Sequence, residues 1–276
     1  MKLDIGGALR RVKHAGELAE CANTFCSSSA WQRWTRQTSG VTVNGSWYCS
    51  DRCSQSALTA LLPALPRFSG EAGRSVYRLP FGLLMLARGV IDESQLKTAV
   101  ETQRQQPQMK IGRCLESLGA VTGAEITRTL GAQHCVPVLV GFEPELDGGV
   151  PLALLESSRC IVFRGNYHPE MLYVGFEVAI DRPLLSAIEQ VLGCRCEPCI
   201  VDGAIIGAQI EHRQRQRNPD EILFATPGGC TEVARSIHSY ALQVRADTIR
   251  VASTRHHYWA RVKGFRQLDL LFRSAD

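Results

Sequence analysis

The stretch whose reading decides the fold is Pro80-Phe81-Gly82-Leu83-Leu84-Met85-Leu86-Ala87-Arg88-Gly89-Val90-Ile91, answered thirty residues later by Lys110-Ile111-Gly112-Arg113-Cys114-Leu115-Glu116-Ser117-Leu118-Gly119-Ala120-Val121. The echo continues downstream: Gly82, Gly89, Leu96 and Gln103 recur as Gly112, Gly119, Ile126 and Gln133. A register held this strictly marks an internal repeat. Each copy predicts a short helix stopped by a glycine (Gly89 or Gly119), because a glycine takes the left-handed conformation that ends a helix at little cost. A second, amphipathic helix then opens on Asp92 with Gln95 three residues on, or on Thr122 with Glu125, the spacing of a reciprocal capping box. Leu96, Ala99, Val100 and Gln103 share one helical face. The expectation is two similar helical units packed through Leu84, Leu96, Val100, Leu115, Ile126 and Leu130.

Upstream of the repeat, cysteines dominate. The chain has 276 residues, of which 45% are hydrophobic and 21% charged, with eleven cysteines. That composition supports packed cores, and the length suits several small domains in an α+β multidomain fold. A formal charge of +4 falls short of the clustered basicity of a dedicated nucleic-acid binder. The longest apolar runs are too short to span roughly 30 Å of hydrocarbon. The first residues lack the apolar core of a signal peptide. A cytoplasmic protein is therefore expected, and in a reducing compartment clustered cysteines read as metal ligands before disulfides.

Cys21 and Cys26, a spacer, then Cys49 and Cys53 form two close pairs separated by about 20 residues, which suits a tetrahedral Zn²⁺ held by four thiolates. Cys49 and Cys53 precede the helix-like residues 55–62 and are expected one helical turn apart near a helix N-terminus, where the helix dipole and free N–H groups favour thiolates. This is a treble-clef-like module over residues 1–62, with the metal as a structural Zn²⁺ at its core. Four thiolates leave no open position for a catalytic water. Arg33, Arg36 and Arg52 beside Trp31 and Trp34 offer the alternative of a nucleic-acid face. Cys194, Cys196 and Cys199 alternate with Arg195 and Glu197 as in a half-buried strand, and are read as small buried hydrophobes.

Residues 63–75, rich in proline and glycine, read as a linker. The tandem-repeat domain then covers 76–141, and a mixed α/β subdomain covers 142–212. A basic joint at 213–219 leads to a C-terminal α/β unit, 220–276. There, residues 231–245 have helical spacing, and 248–253, 258–262 and 268–272 read as strands. His256 and His257 fall in an expected solvated hairpin turn, and Arg250, Arg255, Arg261, Arg266 and Arg273 on an expected solvated sheet face.

The repeat resembles the tandem Arg-Leu-Gly…Gly-Leu-Ile…Leu…Gln units of the MshEN and GspE N-terminal-like regions that precede the motor in type II secretion and type IV pilus assembly ATPases. Gln133-His134-Cys135-Val136-Pro137 is similar to the exit of that region, and residues 151–212 are similar in pattern to its mixed subdomain, which implies a helix near Leu152, strands at 160–163 and 172–176, a helix at 183–192, a strand at 195–200 and a last helix. In members that bind cyclic di-GMP, the resemblance implies a ligand site at Pro80, Phe81, Gly82, Leu84 and Gln103 and at Lys110, Ile111, Gly112, Cys114 and Gln133. Pro80 and Lys110 stand where the family has arginines, so the planar stacking cations are missing. Arg78 lies two residues from the first and is the candidate substitute.

The family's motor needs a Gly-x₄-Gly-Lys-Ser/Thr loop to cradle phosphates, and this sequence contains no Gly-Lys dipeptide. No Gly-x-Ser-x-Gly or His-Glu-x-x-His motif appears either. The expected function is a non-enzymatic protein-interaction or regulatory adaptor with a protein partner, of the kind found in secretion or pilus machinery. The alternatives are a cyclic di-GMP receptor and a zinc-dependent nucleic-acid binder.

Overall fold

The structure, a computed structural model, describes residues 20–36, 39–68, 79–139, 149–164, 170–216, 218–225 and 229–274. It divides into two units, Met1–Arg67 with Pro219–Asp276, and Phe68–Asn218. Along the first segment run α1 (Ala30–Thr35), β1 (Val41–Val43), β2 (Ser46–Tyr48) and α2 (Asp51–Ala64). Asn44 and Gly45 join β1 to β2 with φ of 45° and 88°, the left-handed pair that a two-residue hairpin with correct twist requires. Ser50 caps α2 by accepting from the Cys53 N–H. The helix runs through Pro63 to Ala64, where a linker was expected from 63, because Leu62 and Leu65 are both buried and hold the last turn on the core.

The second unit opens with the repeat: α3 (Phe81–Ala87), α4 (Glu93–Gln105), α5 (Ile111–Ser117) and α6 (Gly123–His134). Both capping boxes form, and Gly89 and Gly119 take φ of 68° and 69°. The helices interlock: α3 packs on α6, and α4 on α5. Two side chains tie the copies reciprocally. Gln103 Nε2 donates to the Met109 carbonyl at 3.0 Å, at the entry of the second copy, and Gln133 Nε2 donates to the Leu79 carbonyl at 2.8 Å, at the entry of the first. The core differs in detail from expectation. Met85 and Ala99 are fully buried while Val100 is 36% exposed and Leu84 half-buried, because α3 turns Gly82 and Met85 inward together. A Cβ on Gly82 would stand 2.6 Å from Leu96 Cδ1.

The same unit continues with β3 (Val138–Leu139), α7 (Leu152–Ser158), β4 (Cys160–Arg164), β5 (Met171–Phe176), α8 (Arg182–Leu192), β6 (Arg195–Val201) and α9 (Gly203–Arg215). Its sheet has the order β3-β6-β5-β4, with β5 parallel to β6, β3 parallel to β6, and β4 antiparallel to β5. Ile161, Phe163, Cys199, Val201, Ile206 and Ile210 form its core. From sequence, 76–141 and 142–212 are separate, yet β3 lies in the first and completes the sheet of the second.

The chain then returns to the first unit with β7 (Glu221–Phe224), α10 (Cys230–Gln243), β8 (Thr248–Ser253), β9 (His257–Lys263) and β10 (Gln267–Arg273). Residues 1–62 and 220–276, expected as separate modules, share a six-stranded sheet of order β2-β1-β8-β9-β10-β7. Strand β1 pairs in parallel with β8 and covers an edge that would otherwise be open. The Asn44 amide bridges to Val251, accepting from its N–H at 2.7 Å and donating to its carbonyl at 2.9 Å. On one face α2 packs with α10, burying Leu58, Leu62, Val233 and Ile237. The opposite face departs from expectation. Arg261 makes a two-pronged bond to Asp269 at 2.8 Å while Trp259 Nε1 donates to the same carboxylate at 2.7 Å, and Asp269 is only 4% exposed. His257, expected in a solvated turn, opens β9 and is 7% exposed. Burial, then the charges of His256 and Arg273, lower its pKa.

Candidate metal centre and repeat cavity

The four N-terminal cysteines converge. The thiol sulfurs of Cys21, Cys26, Cys49 and Cys53 all lie within 4.8 Å of one another, two half-buried and two buried. Local structure brings each one in. Cys21 and Cys26 flank a turn closed by Cys26 N–H to the Asn23 carbonyl, and Ala22 N–H binds the Trp47 carbonyl on β2 at 2.9 Å. Cys49 follows β2, and Cys53 sits in the first turn of α2, so a knuckle, a hairpin and a helix start each contribute.

The electrostatics suit a cation. Bonds from the Ser28 N–H hold the Cys26 thiol down at about 6, whereas burial pushes Cys21 up to about 12. Four thiolates gathered at this spacing would repel one another, and a divalent ion at the centre offsets that repulsion. With Zn–S near 2.3 Å, a tetrahedral ion sets sulfurs roughly 3.8 Å apart, which a 4.8 Å cluster reaches by small side-chain rotations. The quartet can thus hold a metal ion. Among the described residues no other group of three or more His, Cys, Asp or Glu gathers in this way. Cys196 and Cys199 lie in β6, with burial raising both thiols to about 12.

The residues proposed for a nucleotide divide. Phe81, Lys110, Ile111, Gly112 and Gln133 line a cavity of about 740 Å³. Gly82, Leu84 and Gln103 do not line it: Gly82 is spent on helix contact with Leu96, and Gln103 on the Met109 carbonyl. Arg78 lies outside the described residues. The far wall is formed by residues that the sequence did not single out, namely Glu177, Val178 and Ala179 after β5, and Asp202, Gly203 and Ala204 after β6. Both segments follow the carboxyl ends of neighbouring parallel strands, where α/β sheets place ligands, and that position was the available signal.

The cavity's charge is mixed. Arg113 binds Glu116 at 2.7 Å and reaches Glu177 at 3.6 Å, and Arg159 binds Glu177 at 2.9 Å. Glu116 and then Glu177 and Asp202 raise the Arg113 pKa. Against Lys110 and Arg113 the lining sets three carboxylates, Glu116, Glu177 and Asp202. Asp202 also caps α9 through the Ala204 N–H at 2.8 Å. A Cβ on Gly203 would meet Glu177 Oε1 at 2.6 Å, so glycine there lets the carboxylate stand at the rim.

Fold and site together define a module with a cysteine quartet able to hold a metal ion, built into a sheet of one unit, and an interlocked tandem repeat joined to a small α/β sheet in the other. No family model and no curated protein matches the sequence. Among solved structures the chain is similar to MshE with cdg, at 19% identity over 49% of this chain and 99% of that one, with a TM-score of 0.39. It is also similar to the N-terminal domain of XpsE in two crystal forms. One is 18% identical over 48% of this chain and 91% of that one (TM-score 0.35), the other 16% identical over 53% and 98% (TM-score 0.29). These likenesses take in about half of the present chain.

Proposed function

We propose that this protein is a non-enzymatic interaction or regulatory adaptor that acts in the cytoplasm, with a zinc-stabilised module and a tandem repeat of the kind that precedes secretion and pilus motors. The observation that carries the reading is how the repeat spends its polar groups. Gln103 and Gln133 both bond the repeat's own backbone, and Arg113 is engaged by Glu116. The repeat is thereby kept as a rigid scaffold, while the cavity beside it carries more carboxylates than cations, a poor match to a ligand with two phosphates. Its apolar floor of Phe81, Ile111, Ile126 and Leu130 under a charged rim suits an apolar side chain of a partner protein. Zinc is the ion that four thiolates in this topology favour.

A partner captured by the immobilised protein, and bound again as a purified component, should lose binding to Ala124→Trp, which fills the cavity from the first turn of α6. Capture unaffected by that change would move the partner's site elsewhere. A cyclic di-GMP receptor is the second reading, favoured by the five repeat positions that do line the cavity and by the similarity to MshE, whose structure is with cdg.

A further inference from the structure

The cavity beside the repeat changes character along its length. Gly123, Ile126 and Leu130 follow one another on a single face of α6, and all three line it. At the start of the helix the lining is anionic: a Cβ on Gly123 would stand 3.3 Å from Glu116 Oε1 and 3.7 Å from Asp202 Oδ2, so two carboxylates from different segments meet over that glycine. Farther along it is apolar, where a Cβ on Gly112 would stand 3.3 Å from Phe81 Cε1 and 3.6 Å from Ile126 Cγ2. With a rise of about 1.5 Å per residue, the apolar part lies roughly 5–10 Å from the anionic end. That end has capacity left over. Arg113 holds Glu116 through Oε2, Arg159 holds Glu177 through Oε2, and Asp202 caps α9 through Oδ1. Glu116 Oε1 and Asp202 Oδ2, the two oxygens over Gly123, have no hydrogen-bond or ion-pair partner among the described residues. Lys110, the other cation of the lining, is within ion-pair distance of neither. Both carboxylates are part-buried, where water offsets their charge less fully than at an open surface.

We infer that the partner segment received by this cavity is basic: an extended peptide that sets an apolar residue on Phe81, Ile111, Ile126 and Leu130 and, two positions away, an arginine or lysine between Glu116 and Asp202. The inference rests on the reading of the cavity as a docking site for a partner protein, and adds the chemistry of what docks. In an extended chain, residues two apart point to the same side and lie roughly 6.6 Å from one another, which matches the spacing between the apolar floor and the anionic end. Arginine is the better fit, since its planar fork serves two carboxylates at once while its stem lies along apolar surface. Charge decides against the other segments. A purely apolar segment would cover the two oxygens from water and give them no counter-charge, which costs free energy. An acidic one would add a third like charge.

The test selects peptides from a phage-displayed random library on the immobilised full chain and discards those that also bind Ala124→Trp. The peptides kept should carry arginine or lysine two positions from a large apolar residue. Synthetic copies, titrated by fluorescence anisotropy, should lose at least about tenfold in affinity when that base is replaced by glutamine. Against Asp202→Asn with Glu116→Gln the same replacement should cost less than about twofold, because the charges it met are gone. Asparagine caps a helix as well as aspartate does, so Asp202→Asn leaves α9 capped, and circular dichroism checks the fold of each variant. Should Ala124→Trp not fold, the cycle between the peptide's base and Asp202→Asn decides alone. Peptides without a base, or a base whose loss costs the same in both proteins, would overturn the inference and leave the cavity a docking site. A library that yields no peptide sensitive to Ala124→Trp would overturn the docking reading and the inference with it. A concentration-dependent dimer abolished by Ala124→Trp would put a second copy of the chain in the cavity and overturn the inference as well.

Discussion

Asp269 shows how one side chain can matter to a whole sheet. It takes two bonds from Arg261 and one from the Trp259 indole while almost fully buried, and the Arg261 guanidinium also lies 5.2 Å from the centroid of the Trp259 ring. Removing one partner of such a group strands the other charge in a poorly solvated place. Asp269→Ala should therefore destabilise the first unit by about 3–5 kcal/mol, read as a lower denaturant midpoint with unchanged slope. A loss under about 1 kcal/mol, the usual worth of an exposed pair, would show that solvent reaches the site. None of this was visible in the sequence: Arg261 and Asp269 alternate with apolar neighbours as solvated strand residues do, and only the pairing of β9 with β10, which sets Arg261 directly opposite Asp269, brings them together. The thiolate quartet was legible because its spacing encodes a geometry without reference to the rest of the chain.

Among elements, the repeat is the part that the sequence specifies best, since its stops, caps and glycines all act within a few residues. Gly89 and Gly119 hold equivalent left-handed positions, and nothing stands within 4 Å of a Cβ added at either. Gly89→Ala and Gly119→Ala should each cost about 1–2 kcal/mol through backbone strain alone, and by nearly equal amounts. A thermal-denaturation series in which one costs nothing would break the equivalence of the two copies. Strands β6, β8, β9 and β10 and helix α10 fall close to where alternation and helical spacing put them, and β4, β5 and the helices beside them close to where the family resemblance put them. The short strands escaped. β1, β2, β3 and β7 are two to four residues long, too brief for a period to register, and each is defined by a partner distant in sequence or by a turn. Because β1 and β3 were missed, so were the groupings they create: the N-terminal module with the C-terminal strands, and the repeat with the mixed sheet. The cavity was half legible for the same reason. Its repeat side follows from the motif, and its far wall depends on where β5 and β6 end.

At the scale of the molecule, one unit is made from both ends of the chain, and the repeat unit interrupts it. Metal at the quartet should then stabilise more than the knuckle, since α2 packs on α10 and β1 pairs with β8. On chelation, amide protection should fall by at least about tenfold, or about 1.4 kcal/mol, across both 41–62 and 248–253. Cys53→Ser should do the same and Cys196→Ser should leave metal content unchanged. Loss confined to the first segment would mean that the sheet holds without its metal-bound edge. The adaptor reading itself turns on whether the repeat grips a cyclic dinucleotide. With Pro80 and Lys110 in the places of two arginines, each guanine of a cyclic dinucleotide would lack a stacking cation worth roughly 0.5–2 kcal/mol, which weakens binding by about one to three decades in all. The carboxylates at the cavity rim act in the same direction. Calorimetric titration of cyclic di-GMP into the unaltered protein, beside Pro80→Arg with Lys110→Arg, tests this most directly. The account predicts no saturable binding by the unaltered chain at low micromolar concentration and a measurable gain in the double variant, whereas tight binding by the unaltered chain would contradict it.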